Sequence, residues 1–79
     1  MFQLLVVEDD KNQARLMNAI LSHAGYKVYL AADGNAALNV LDKQHIDLIV
    51  LDVMMPVMDG YELTEILRSN GSMIPILMV

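Results

Sequence analysis

Seventy-nine residues suffice for one small domain, spanning residues 1–79, and a chain of this size buries only a modest share of its surface. Five Lys and Arg against ten Asp and Glu leave a net charge of -5, which argues against direct nucleic-acid contact, since phosphates call for clustered cations. The 56% hydrophobic content excludes a disordered chain, the lack of cysteine excludes disulfides and thiolate metal sites, and no apolar run is long enough to span a membrane.

Gln3 to Val7 predict a first strand, ending at Glu8-Asp9-Asp10; these acids interrupt the N-terminus too early for a signal peptide. Asp10 and Gln13 have the spacing of a capping box. Ala14, Met17, Ile20, Leu21 and Ala24 recur at helical spacing and predict an amphipathic first helix, with Gly25 as its C-terminal cap. Tyr26 to Ala31 predict a second strand, placed at an edge by Lys27 and its tyrosines. Asp33 caps a second helix that turns Ala37, Val40 and Leu41 inward and runs to about Gln44. Leu48 to Leu51 are apolar without alternation, as in a parallel strand covered on both faces. Asp59 and Glu62 repeat the capping spacing ahead of a third helix carrying Leu63, Ile66 and Leu67, which Asn70-Gly71-Ser72 ends. Ile74 to Val79 predict a fourth strand, with Pro75 near its start.

This β-α-β-α-β-α-β alternation predicts an α/β fold with a doubly wound parallel sheet of order 2-1-3-4. Strands one and three are then neighbours, and the crevice at their carboxyl ends is the topological switch point where ligands bind. Glu8 and Asp9 follow the first strand, and Asp52 follows the third. Three carboxylates at one edge repel one another unless a cation sits among them. Oxygen donors without Cys or His favour Mg²⁺ or Mn²⁺ over zinc, and such a cation keeps positions open for phosphate oxygens.

Each residue also has a plainer reading. Asp10, Asp33 and Asp59 are read as helix caps rather than ligands. Glu8 and Asp9 alone would be a solvated acidic turn; Asp52 at the neighbouring strand end tips the reading towards a site. His23 suits a helix C-terminus, His45 a surface loop, and Met54, Met55 and Met58 pack beneath a loop rather than form an interaction surface.

Leu-Val-Val-Glu-Asp-Asp, Ala-Asp-Gly, the block from Leu48 to Gly60 and Ile-Pro-Ile together resemble a bacterial response-regulator receiver domain, over the whole chain and in order. The resemblance implies a flavodoxin-like fold, a cytoplasmic signalling module rather than a turnover enzyme, and a sensor histidine kinase as partner. Asp52 would accept the phosphoryl group, with Mg²⁺ held by Glu8, Asp9, Asp52 and the backbone carbonyl of Met54. The Leu-Asp-Val-Met-Met-Pro run is most similar to receivers joined to winged-helix DNA-binding domains, so the parent protein is expected to bind DNA and control transcription.

Two departures stand out. Ala36 replaces the usual capping acid after Asp33, and the chain stops at Val79, before the hydroxyl residue, later Lys and final helices of family receivers. The expectation is therefore a receiver truncated after its fourth strand. The alternative function is a fragment whose acidic pocket forms but cannot be phosphorylated or switch. Apolar surface left bare in such a fragment predicts a homo-oligomer or segment-exchanged dimer. A Mg²⁺-dependent phosphohydrolase ranks lower, because Met54 stands where it would need a second acid. A flavin protein ranks lower too, because Glu8-Asp9-Asp10 would repel its phosphate.

Overall fold

The computed structural model of the chain describes residues 2–51, 65, 67–69 and 73–78. Its strands are β1 (Gln3–Val7), β2 (Lys27–Ala31), β3 (Leu48–Leu51) and β4 (Ile76–Met78), and its two fully described helices are α1 (Lys11–His23) and α2 (Gly34–Lys43). The sheet order is β2-β1-β3-β4 and every pair is parallel, the doubly wound arrangement expected from the alternation. β1 and β3 occupy the centre, which is why neither alternates polar and apolar residues. Leu4 to Val7 are at most 2% exposed, and Ile49, Val50 and Leu51 are also buried.

The two sheet faces are covered unequally. Leu5, Val7, Ile49 and Leu51 pack with Ala31, Ala37, Ile46 and Leu67 in one core cluster. α2 closes this face through Ala37, which is fully buried; residues 65 and 67–69 are helical, and Leu67 joins the same core. Val50 points to the opposite face, where Met17 and Leu21 of α1 lie half-buried. No residue of α1 is fully buried, and Leu16 and Ile20 remain 56% and 59% exposed. The helical periodicity thus identifies the apolar stripe of α1, but the described residues cover only part of it.

Two strand starts differ from expectation. β2 begins at Lys27 rather than Tyr26, whose ring packs edge-on against Phe2 at 5.8 Å. β4 begins at Ile76 rather than Ile74: Pro75 has no N–H to give a ladder, and its carbonyl accepts from Ile49 N–H at 3.0 Å just ahead of the strand. Gly25 follows α1 with φ of +100°, the left-handed conformation its position demanded. The expectations for Asp59, Glu62, Leu63, Ile66, residues 70–72 and Val79 fall outside the described residues.

Candidate functional site at the carboxyl edge of the sheet

The last register pair between β1 and β3 is Val7 with Leu51. The next residue in the chain is Glu8 after Val7 and Asp52 after Leu51. Parallel pairing thus ends both strands at one edge. Asp52 and Met54 lie outside the described residues, as do Met55, Pro56 and Met58.

Glu8 is anchored at two atoms. Its N–H donates to the carbonyl of Ala31 at the end of β2, at 2.9 Å. Its Oε1 accepts from the backbone N–H of Asp10 at 3.3 Å. The residue is only 9% exposed, so the carboxylate is held rather than trailing in water. Asp9, beside it, is exposed. The structure therefore brings Glu8 and Asp9 to the expected edge in different settings, one buried and one open.

Asp10 is the N-cap of α1, as its spacing predicts. Its Oδ1 accepts from Asn12 N–H at 2.8 Å and Gln13 N–H at 3.2 Å, and its carbonyl accepts the first helical bond from Ala14 at 2.9 Å. The capping box is nevertheless altered. The Asp10 N–H, which a capping box would offer to the Gln13 side chain, is given to Glu8 instead. On the β2 side of the acidic pair, a depression of about 310 Å³ is lined by Glu8, Asp9, Lys11, Arg15 and Leu30. Two cationic residues of α1 thus share the lining of this depression with the two acids.

Among the described residues, no group of three or more His, Cys, Asp and Glu is gathered closely enough to hold a metal ion. The two acids that are described fit a hard cation by their chemistry. Both offer carboxylate oxygens, one of them already oriented by a backbone N–H, and the chain has no cysteine to favour a softer ion.

A second polar cluster, at the opposite edge, went unread in the sequence. Asp47 Oδ2 accepts from Gln3 N–H at 2.7 Å, and its N–H donates to Gln3 O at 2.8 Å. His45 Nε2 lies 2.8 Å from Asp47 Oδ1, and the Gln3 side-chain amide donates to the His45 carbonyl. His45 itself is the exposed loop residue expected. The Gln3 N–H, and then the His45 side chain, hold the Asp47 carboxyl below its ordinary value. The available signal was an acid immediately ahead of an apolar strand, where strand-end N–H groups need acceptors.

Comparison with known proteins bears on this edge. The family model for the response regulator receiver domain matches residues 4–79. A probable transcriptional regulator, ycf27 of Cyanophora paradoxa, is 46% identical over 77 residues, covering 98% of this chain and 32% of the relative. The chain thus spans about a third of that relative's length. The chemotaxis protein CheY4 of Vibrio cholerae has a TM-score of 0.93 at 39% identity, covering 99% of this chain and 67% of that one. The receiver domain of the sensor histidine kinase PA1611 of Pseudomonas aeruginosa, with a magnesium ion coordinated in its active-site cleft, has a TM-score of 0.88 at 37% identity, covering 98% and 65%. With the parallel 2-1-3-4 sheet and the acidic pair at its carboxyl edge, these matches establish that the chain belongs to the response regulator receiver domain family of two-component systems.

Proposed function

We propose that this chain is the phosphoacceptor part of a two-component signalling protein, with Asp52 as the residue that takes the phosphoryl group. The observation that carries the reading is the Val7–Leu51 register pair, from which the chain continues into Glu8-Asp9 on one strand and Asp52 on the other. The donor is a phosphohistidine on a sensor histidine kinase. A carboxylate oxygen of Asp52 attacks phosphorus in line; the O–P bond forms as the P–N bond breaks, and the departing imidazole nitrogen takes a proton. The chain acts once per signal rather than as a turnover enzyme.

Glu8, Asp9, Asp52 and the backbone carbonyl of Met54 would hold Mg²⁺, which supplies positive charge against the phosphoryl oxygens when bound. Glu8 is suited to this by its burial and by its backbone bond from Asp10, which fixes one carboxylate oxygen before any ligand arrives. Asp9, exposed beside it, is accessible to an ion entering from solvent. The similarity to ycf27, a probable transcriptional regulator, supports control of transcription by the parent protein, for which we read a DNA-binding output domain, and the magnesium ion in PA1611 supports the cation. A cytoplasmic setting follows from this role, and among the described residues no helix is long and apolar enough to cross a membrane.

For the 79-residue chain by itself, we read the open apolar surface as one that association covers. Met17, Ile20, Leu21, Val50 and Leu77 line a depression of about 270 Å³, and Leu77 is 52% exposed. A homo-oligomer or an exchange of segments removes that surface from water, and each Å² is worth about 25 cal/mol.

The test of the signalling role is phosphoryl uptake by the full-length protein from a small phosphodonor, with and without Mg²⁺. Uptake that needs Mg²⁺ and falls sharply in Asp9→Asn supports the site. Uptake indifferent to both contradicts it.

A further inference from the structure

The N-cap of α1 and the buried carboxylate of the acidic edge share one residue. Asp10 accepts from Asn12 and Gln13 through Oδ1 and from Ala14 through its carbonyl, while its own N–H donates to Glu8 Oε1. Its backbone is extended, with φ of -82° and ψ of 119°, as an N-cap requires. Three bonds on the helix side therefore hold Asp10 in place, and its N–H, part of the preceding Asp9–Asp10 peptide, reaches Glu8 Oε1. Glu8 is fixed from the other direction by its bond to Ala31. The short link from β1 to α1 is thereby clamped at both ends, with the Glu8 carboxylate between.

We propose that Asp10 is a positioning residue for metal binding: its side chain, by capping α1, sets the backbone N–H that orients the Glu8 carboxylate. The proposal rests on the reading of Glu8 as a metal-binding acid. An acceptor oxygen held by a fixed N–H need not be reorganised when the ion arrives, and groups that orient a ligand from behind commonly control affinity by an order of magnitude. Asp10 enters this arrangement as the cap of α1, with its Oδ1 accepting from the helix amides, and is not proposed as a ligand. The capping acid reads in sequence as a helix signal only, but the structure gives its backbone a second task.

Binding of Mn²⁺ to the full-length protein, measured by the paramagnetic resonance of the free ion, tests this without recourse to phosphorylation. Asp10→Ala loses the cap, and the Mn²⁺ Kd is expected to rise about tenfold. Asp10→Ser and Asp10→Asn keep an oxygen acceptor but remove the charge, and both are expected to return most of the affinity. Gly25→Ala strains the far end of the same helix, at φ of +100°, and should lower Tm while leaving the Kd unchanged. A Kd in Asp10→Ala equal to wild type overturns the proposal. So does a Kd in Asp10→Ser as weak as in Asp10→Ala, which would assign the effect to charge. A Gly25→Ala protein as weak as Asp10→Ala overturns it as well, by assigning the effect to general destabilisation. Absence of Mn²⁺ binding by the wild type, or an unchanged Kd in Glu8→Gln, brings down the metal reading itself and is distinguishable from all three.

Discussion

Gln3 and Asp47 exchange two hydrogen bonds across the start of the β1–β3 pair, 2.7 Å from Gln3 N–H to the Asp47 carboxylate and 2.8 Å from Asp47 N–H to the Gln3 carbonyl. Residues 44 positions apart are thereby locked at the amino edge of the sheet, four residues ahead of the pair that closes the carboxyl edge. The bracket fixes the register that aligns the two strand ends.

This bracket gives the fold an acid-sensitive contact. The Gln3 N–H, seconded by His45, lowers the Asp47 carboxyl from its ordinary value of 3.8. The native state therefore holds the carboxylate at pH values where the unfolded chain has begun to protonate it. The resulting stability is present above about pH 4 and is lost as pH falls through the lower native value. Asp47→Ala is expected to lower Tm at neutral pH and to flatten the acid limb of a Tm-against-pH curve. Parallel acid limbs in wild type and variant would show that the bracket does not carry this dependence.

The central strands make a contrasting prediction about the core. Leu5 is fully buried in the cluster with Ile49, Leu51 and Ala37. Leu5→Ala should cost about 3 kcal/mol, from lost burial and the cavity left behind. Asn39→Ala, at an exposed position of α2, should stay within about 0.5 kcal/mol. Urea unfolding of the full-length protein or its intact receiver compares them, and equal losses would contradict the burial described.

The open face predicts behaviour of the 79-residue chain in solution. Ile20 and Leu77, 59% and 52% exposed, line one apolar depression. Ile20→Glu places a charge there and should move the chain from associated species towards monomer by light scattering. A wild-type chain that is already monomeric at micromolar concentration would contradict the association reading.

Much of this arrangement was legible because the central strands have no alternation to mislead. The runs Leu4 to Val7 and Leu48 to Leu51 are apolar on both faces, and that alone places them mid-sheet with acids at their ends. Asp10, and Asp33 whose Oδ1 accepts from Ala36 N–H at 2.8 Å at the start of α2, were legible as caps because an acid before a periodic run has few other uses there. The partner of the Asp10 N–H was not legible, because spacing offers Gln13 and only the fold brings Glu8 Oε1 within reach. Asp47 was missed for the reason that makes it useful: its partner Gln3 is remote in sequence, and one acid beside one strand forms no pattern. Periodicity likewise found the apolar stripe of α1 but carried no information on how much of it the remaining elements cover. Asp52 and Met54 were read from a motif, and their placement lies outside the described residues.

The most direct measurement is the intact mass of the full-length protein after incubation with phosphoramidate and Mg²⁺, followed by mapping of the labile adduct. We expect a gain of one phosphoryl group, carried by Asp52 and absent from Asp52→Asn. A gain of the same size and rate in Asp52→Asn, or an adduct mapped to another residue in the wild type, would contradict the assignment of Asp52 as phosphoacceptor.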